Sequence, residues 1–267
     1  MTSSLTSPLH LAEIHWSSQS DLPLLAMLQL LPLAAALLLF LFKGKTPVLL
    51  ALATMLAEIV VTLLLYSGFD PSTPALQFGE SLTLLSPLNY HAAIDGMALL
   101  FIILTTILGL LVVLYGWQVL SEEEPSHFMA TVLFTYATLM SLLTTQNLLW
   151  FIVMSTIQLA PIGALLRSWS TSPDKDEAVT RFVQSMSIGL LLLFIATFML
   201  GWNYADQHAG EWSFDLAELG TTSIPLSIQS ILFFLLFYGF AIRVPLFPLH
   251  GWLPKIAEHG TVAIAPI

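Results

Sequence analysis

The sequence is divided into long apolar runs, each about as long as a helix that crosses a lipid bilayer. Such a helix needs about 20 mostly apolar residues, and the segment 128–166 extends well beyond that length without one charged residue. Charged residues make up 9% of the 267 residues and hydrophobic residues 57%, whereas a soluble domain has roughly a quarter of its residues charged. The chain is therefore predicted to be an all-α integral membrane protein.

Seven spans, followed by the start of an eighth, are predicted from these runs. The uncharged segment 128–166 is divided at Thr144–Asn147, because it is too long for a single crossing. Residues 1–21 contain no Lys or Arg and are followed by no cleavage site, so the first run is predicted to span the membrane rather than to act as a signal peptide. The predicted transmembrane domain covers 22–267, with spans at about 22–42, 46–67, 97–119, 128–145, 147–166, 180–201 and 225–243, and an eighth beginning near 260.

The basic residues between the apolar runs predict the orientation of the chain. Each follows an odd-numbered span, so all lie on one side of the membrane, and the positive-inside rule makes that side cytoplasmic and puts the N-terminus outside. The net charge of −10 excludes the basic face typical of a nucleic-acid-binding protein, and the absence of cysteine excludes disulfides and thiolate metal sites. The basic residues that sort in this way are Lys43, Lys45, Arg167, Lys175, Arg181 and Lys255.

The stretch 237–254 combines a charge with a broken helix. An apolar run ends on Arg243 and is followed by Pro245, Pro248 and Pro254, which are predicted to unwind the helix because proline lacks a backbone donor. Unwound backbone inside a membrane is tolerated where protein or water satisfies it. The segment therefore favours a buried ionic path that includes His250. The alternative is that Arg243 marks the membrane edge and the prolines form a surface turn.

Glu58 lies near the middle of the second span. A carboxyl group at that depth is costly unless it is protonated, paired or next to water, so Glu58 is a candidate proton carrier. The alternative is a neutral side chain that hydrogen-bonds to a neighbouring helix as a structural contact.

Several further residues could belong to a polar path. Thr156 and Gln158 could hold water or bridge helices, and Arg181 could act in the path or simply anchor the sixth span in a solvated charge cluster. His250, Glu258 and His259 could be combined into a metal site, but their spacing matches no known zinc pattern, so no metal is predicted. Proton relay by histidine is preferred.

The segment from Arg243 to Pro254, with the sequence RVPLFPLHGWLP, resembles the seventh-helix signature of the antiporter-like membrane subunits of respiratory complex I. The similarity is to the subunit M (chain 4) type, which has relatives in multisubunit Na+/H+ antiporters, membrane-bound hydrogenases and inorganic-carbon-accumulating complexes. Weaker matches are the segments 93–100 and 146–161, so the resemblance extends from about residue 88 to the end. It implies the N-terminal half of a fold with about fourteen helices in two inverted halves.

The chain departs from the family at the positions that matter most for proton transfer. The resemblance places the family's fifth-helix glutamate at Thr156, its seventh-helix lysine at Arg243 and the lysine that opens the sixth helix at Arg181. In a Glu–Lys pair each partner changes the protonation of the other, and a threonine with an arginine cannot do so. The family usually continues with Asp-Ala-His after Pro254, whereas this chain continues from Lys255 to His259.

The resemblance implies a membrane subunit of a proton-translocating complex that contributes part of a proton path, carries out no catalysis alone and binds no redox cofactor. Its partners would be the lipid bilayer and other membrane subunits, in a bacterial inner membrane or an equivalent energy-transducing membrane. Either a partner chain supplies the second half of the fold, or the chain is a truncated or divergent subunit. Two alternatives remain open at this point. The chain could be a scaffold that has lost pumping, or it could energise bicarbonate or CO2 uptake.

Overall fold

A computed structural model describes residues 22–42, 45–85, 88–119, 125–170 and 172–259. That part of the chain forms helices and a single two-stranded hairpin. In order they are α1 (Leu24–Leu39), α2 (Thr46–Gly68), β1 (Gln77–Leu85), β2 (Leu88–Ile94), α3 (Gly96–Val119), α4 (Pro125–Thr144), α5 (Leu148–Trp169), α6 (Lys175–Gln207), α7 (Leu216–Thr221), α8 (Leu226–Arg243) and α9 (Trp252–His259).

The helical membrane fold predicted from the sequence is confirmed. Among the described residues, α2, α3, α4, α5, α6 and α8 are long and apolar enough to cross a membrane, and α1 is apolar but shorter, with 16 residues. Helix α6 begins at Lys175 and ends at Gln207, beyond the predicted 180–201 at both ends, because apolarity marks the membrane-spanning part while the helix continues into polar flanks. The predicted segment 1–21 and the eighth span near 260 lie outside the described residues.

The predicted division of the long uncharged segment coincides with a helix boundary. Helix α4 ends at Thr144 and α5 begins at Leu148. Between them the side chain of Asn147 accepts a hydrogen bond from the backbone N–H of Trp150 at 3.0 Å. A side-chain acceptor of this kind satisfies one of the unpaired donors at a helix start, so the local sequence explains why a new helix begins here.

The hairpin β1–β2 was not predicted, because the sequence analysis placed no helix or strand between the second and third spans. Its antiparallel strands lie over the start of α1, where both carboxylate oxygens of Glu80 accept backbone N–H groups, from Leu25 and Ala26, at 2.8 Å each. The residue before α1, Pro23, supplies no side-chain cap. A distant glutamate therefore takes the place of the local cap, and its negative charge also suits the positive end of the helix dipole.

The hairpin is joined to the two other chain segments at the same end of the bundle, which we call the hairpin end. His91 Nδ1 pairs with the buried carboxylate of Asp215, just before α7. The side-chain amide of Gln146 donates to the Ala93 carbonyl at 3.1 Å, and its backbone carbonyl accepts from Leu216 N–H at 2.9 Å. These contacts tie β2, the α4–α5 turn and the start of α7 together.

The helices pack in two groups. Helices α1, α2 and α3 all pack on α4. We call these four helices the four-helix part. Helix α5 packs on both α4 and α6, and helices α8 and α9 both pack on α6. We call α5, α6, α8 and α9 the broken-helix part. Most of the large, fully buried side chains belong to the four-helix part, which therefore holds the main hydrophobic core.

Candidate functional site

The break between α8 and α9 is a compact turn with its own hydrogen bonds. At the end of α8, the carbonyls of Phe240 and Ala241 accept from the N–H groups of Val244 and Leu246, at 2.9 and 3.0 Å. The next carbonyl, that of Ile242, accepts from the indole Nε1 of Trp252 at 2.9 Å. The last carbonyls of a helix need partners of this kind when they are removed from water. The indole therefore closes the break by satisfying a carbonyl that the helix has released.

The prolines act differently from one another. Pro245 and Pro248 lie in the segment between the two helices, as predicted. Pro254, which was predicted to contribute to the break, is instead the third residue of α9. The first turn of a helix tolerates proline, because its N–H would have no intrahelical partner there. The break is therefore confined to residues 244–251.

The break lies beside the interior of α6, away from either end of that helix. A Cβ atom added to Gly189, near the middle of α6, would lie 3.1 Å from the carbonyl oxygen of Gly239 and 3.4 Å from the side chain of Ile242. Only glycine allows this close approach of α6 and α8. Helix α9 packs farther along, where the Trp252 ring contacts the ring of Phe182 at 5.6 Å between centroids. Helices α8 and α9 together therefore follow α6, with the interruption partway along.

Arg243 is half-buried at the start of the break and has no ion pair or hydrogen bond from its guanidinium to any described residue. Its guanidinium carbon lies 5.5 Å from the centroid of the Phe151 ring on α5, within the range of a cation–π contact. Ser155 and Gln158 follow Phe151 at helical spacings of four and seven residues, so they share its face of α5. Both are buried, and the Ser155 hydroxyl has no partner among the described residues.

Thr156 lies on a different face of α5 from these residues. It is exposed, and its hydroxyl donates to the carbonyl of Ile152 in its own helix at 2.8 Å. The neighbouring Gln158 is buried at 6% exposure. Of the two α5 candidates, Gln158 therefore shares the helix face that contacts Arg243, whereas Thr156 does not.

The ring of His250 lies within the break. Its Nδ1 atom is buried and has no hydrogen-bond partner among the described residues, and the ring contacts Phe247 with 5.7 Å between centroids. Glu258 is exposed on α9, and the side chain of His259 lies outside what the structure describes. In the described part of the chain, no three His, Asp or Glu side chains are grouped closely enough to hold a metal ion.

Arg181 lies at the first turns of α6 in a cluster of charged side chains. Its Nε donates to Glu177 at 2.9 Å, and Lys255 of α9 approaches the same carboxylate oxygen at 3.7 Å. Arg181 is 58% exposed. It also lines a cleft of about 380 Å³ between α6 and the break, to which Gln184, Ser185 and Trp252 contribute. Arg181 therefore flanks the break from the α9 side without contacting Arg243.

Glu58 is completely buried in the four-helix part, and the structure does not bring it together with the break. Its helix, α2, packs on α1, α3 and α4, whereas α8 packs on α6. Tyr136 of α4 donates to Glu58 Oε2 at 3.4 Å, and Oε1 has no partner among the described residues. The predicted path residues are thus divided between two places in the molecule.

The sequence analysis missed Trp252 and Ser155 as parts of this site. Trp252 belongs to the motif that carries the family resemblance, so the resemblance could have marked it, but its role depends on a contact ten residues back in the chain. Ser155 adjoins Thr156 and has no pattern of its own. The pairing of His91 with Asp215, 124 residues apart, has no counterpart in the local sequence.

Comparisons with known proteins give matches that cover from about half to most of the chain. A family model described as "NADH:quinone oxidoreductase/Mrp antiporter, TM" matches residues 145–267. The NAD(P)H-quinone oxidoreductase chain 4 2 of Thermosynechococcus vestitus is 30% identical over 251 residues, 92% of this chain and 45% of that relative. The NADH-quinone oxidoreductase subunit M of Rhodobacter capsulatus is 29% identical over 260 residues, 91% of this chain and 50% of that relative. The chain thus spans about half the length of the curated relatives it matches.

Solved structures share the fold. A chain of respiratory complex I from Thermus thermophilus has a TM-score of 0.71 at 24% identity, over 90% of this chain and 47% of that chain. A chain of the membrane-bound sulfane sulfur reductase, an archaeal respiratory membrane complex, has a TM-score of 0.73 at 17% identity, over 91% of this chain and 49% of that chain. At these identities the likeness shows a common fold, which includes both groups of helices described above.

Proposed function

Because the chain belongs to the antiporter-like membrane subunit family of respiratory complex I, whose N-terminal half it resembles, we propose that it is a membrane subunit of a proton-translocating assembly. The relatives are named as subunits or chains of quinone oxidoreductases. In such an assembly the chain would pack against other membrane subunits. Its place would be an energy-transducing membrane such as the bacterial inner membrane, with the N-terminus outside.

The observation that carries this proposal is the guanidinium of Arg243 at the break, which has no ion pair or hydrogen bond to any residue that the structure describes. A cation in a membrane-spanning segment is expensive, and such residues mark ion or proton pathways far more often than other positions. Interrupted helices are a recurring construction for ion sites in transporters. Both features occur at residues 243–251, next to α6.

Arg243 and His250 would have different roles in such a path. An arginine keeps its proton in proteins, so Arg243 cannot relay a proton by releasing it. It acts as a fixed positive charge, which disfavours protonation of nearby groups and orients water. The imidazole of His250 can accept and release a proton, and its Nδ1 is without a partner among the described residues. Charge changes elsewhere in the assembly would then alter the proton affinity at the break.

The second candidate function is a scaffold subunit that has lost pumping. One observation favours it, namely that the family's glutamate position is Thr156, whose hydroxyl bonds to its own helix. Helix α5 contains no Asp or Glu at any position, so Arg243 has no acidic partner on it. Such a chain would keep the fold and the contacts to its neighbours while the proton path ran through other subunits.

The proposal is tested by replacing Arg243 with glutamine and His250 with glutamine in the assembled complex and measuring proton uptake into vesicles. We expect either substitution to reduce uptake by about tenfold, which corresponds to a loss of about 1.4 kcal/mol at the rate-limiting step. The matched control is Arg167→Gln, since Arg167 is 72% exposed and pairs with Asp176 at the surface. Unchanged uptake in both variants, with normal assembly, would contradict the proposal.

A second experiment separates the pumping subunit from the scaffold. The double substitution of Thr156→Glu with Arg243→Lys restores the pair of residue types that the family resemblance places at these positions. A pumping subunit is expected to change its proton flux, because the substitutions add a titratable carboxyl group to α5 and replace the fixed charge at the break with a lysine, which can release its proton. A scaffold is expected to tolerate both substitutions with no change in flux.

A further inference from the structure

The cleft between α6 and the break changes from polar to apolar along its length. On α6 its lining begins with Arg181, continues with Gln184 and Ser185 about one turn later, and ends with Ile188. At 1.5 Å per residue, Ile188 lies about 10 Å farther along the helix than Arg181. The facing wall comes from the end of α8, the break and the start of α9, and it is mostly apolar. The cleft therefore has a charged, hydrogen-bonding end and an apolar end.

The guanidinium of Arg181 keeps most of its hydrogen-bonding capacity at the charged end. Its Nε donates to Glu177 at 2.9 Å, and no other hydrogen bond or ion pair joins it to a described residue. An arginine has five N–H donors in a planar fork that matches the oxygens of a phosphate group. The donors on the two Nη atoms of Arg181 are therefore available to a ligand. None of the described residues that line the cleft is an Asp or Glu, so no carboxylate in the lining competes for these donors.

The cleft opens on the outer surface of the described helices, at the level where α6 changes from polar to apolar. The side chains of Arg181 and Ile188 are both more than half exposed. The charged residues Asp174–Glu177 come just before Arg181, and the apolar run of α6 follows it. Trp252 lines the same cleft, and indole rings favour the interface between membrane and water. The polar end of the cleft is therefore placed at the level of the lipid head groups and the apolar end at the level of the acyl chains.

We infer that this cleft binds one anionic phospholipid, whose phosphate group accepts hydrogen bonds from the Nη atoms of Arg181 and from the amide of Gln184. Its acyl chain lies against Ile188, Ile242 and Leu249. Basic pockets between membrane-spanning helices are recurring sites for anionic lipid head groups. A zwitterionic lipid would bring its own cation close to Arg181, so a phosphate with an uncharged head group, as in phosphatidylglycerol, is favoured. The bound lipid would fill the space between α6 and the break.

The test is photolabelling of the assembled complex in vesicles, with a phosphatidylglycerol that carries a photoreactive group on its acyl chain. The peptide that contains Ile188 is expected to be labelled, and a matched phosphatidylcholine probe is expected to label it about tenfold less, as for the loss of one charge-assisted contact. Arg181→Gln is expected to lower labelling by phosphatidylglycerol to the level of phosphatidylcholine, because the charged donors are removed. Arg167→Gln is the matched control, since Arg167 is exposed, pairs with Asp176 and does not line the cleft.

Three results would overturn the inference. Equal labelling by the two lipids, or equal losses in Arg181→Gln and Arg167→Gln, would mean that the cleft holds bulk lipid without recognising its charge. If neither lipid labels the peptide in the parent complex, a protein segment covers the cleft. If excess inorganic phosphate abolishes the labelling, the site recognises a soluble phosphate rather than a lipid. Thermal unfolding of each variant shows whether the fold is intact, and none of these measurements depends on proton transport, so they are separate from the tests of Arg243 and His250.

Discussion

The four-helix part and the broken-helix part differ in how many of their buried polar groups have hydrogen-bond or ionic partners. In the four-helix part, the Gln29 amide bonds to Tyr90 and Thr144 at 2.8 and 3.0 Å, and Glu80 bonds to two amides of α1. In the broken-helix part, Arg243 has no ionic partner and His250 Nδ1 has none of any kind among the described residues. Membrane interiors penalise unpaired polar groups. Apart from Glu58 Oε1, the buried polar groups named for the first part are therefore paired within the described residues, whereas the charge and the imidazole at the break depend on water or on a partner.

The break itself is expected to be the most sensitive point of this comparison, because one side chain closes it. Trp252→Ala removes the indole donor to Ile242 and the ring contact with Phe182. We expect a loss of about 3 kcal/mol in the free energy of unfolding, as for other large aromatic truncations. Thermal unfolding of the solubilised protein measures it. Trp252→Phe keeps the ring and should lose about 1 to 2 kcal/mol from the unpaired carbonyl. Equal stability of Trp252→Ala and the parent would show that the break needs no such closure.

The helix cap at Glu80 tests the completeness of the four-helix part. Glu80→Ala leaves the N–H groups of Leu25 and Ala26 without their acceptors, and we expect it to cost about 1 to 2 kcal/mol. Glu80→Gln keeps one acceptor oxygen, so its free energy of unfolding should lie between those of the parent protein and Glu80→Ala. The control is Glu211→Ala, at an exposed position in the turn after α6. If the loss of stability were no larger than that of Glu211→Ala, water would be replacing the cap. The start of α1 would then not depend on its hydrogen bonds to Glu80.

The elements that could be predicted from the sequence depend on local composition. Apolar runs mark the spans, and prolines at 245 and 248 mark the break, since both effects act within a few residues. The α4–α5 division at Thr144–Asn147 was also local, because Asn147 caps the helix that follows it. Helix ends were less accurate. Helix α6 continues to Gln207 because nothing in Trp202–Gln207 stops a helix once it leaves the apolar region.

What could not be predicted depends on contacts between distant segments. The hairpin over α1 brings Glu80 next to residues more than fifty positions earlier in the chain. No periodic pattern in 77–94 predicts this contact between Glu80 and α1. The hydrogen bonds that connect Glu58, Tyr136, Thr106 and Thr62 involve three helices. For the same reason, the sequence could not show that Glu58 and Arg243 lie on helices that pack on different neighbours.

Substitution of Arg243 should change the free energy of unfolding in the opposite direction from substitution of Glu80. Arg243→Gln removes a half-buried charge that has no ionic partner in the described part of the chain, so the cost of desolvating it disappears. We expect the free energy of unfolding to stay the same or to rise by about 1 kcal/mol, in line with the trade of stability for activity at functional sites. The measurement is thermal unfolding beside Arg167→Gln, the exposed arginine. A loss of more than about 1 kcal/mol would indicate a stabilising partner, and the contrast between the two parts would no longer hold.

The smallest effect on stability is expected at Arg181, where the charge is exposed and paired. Its bond to Glu177 spans one helical turn, and exposed pairs of this kind contribute at most about 0.5 kcal/mol. A double-mutant cycle of Arg181→Gln with Glu177→Gln measures that coupling, although Lys255 shares the same carboxylate and should retain part of the interaction. A coupling well above 1 kcal/mol would place Arg181 among the structural contacts of α9. If the coupling energy is about 0.5 kcal/mol or less, loss of this pair does not disturb the fold. Any fall in proton uptake in Arg181→Gln is then due to loss of the charge beside the cleft at the break.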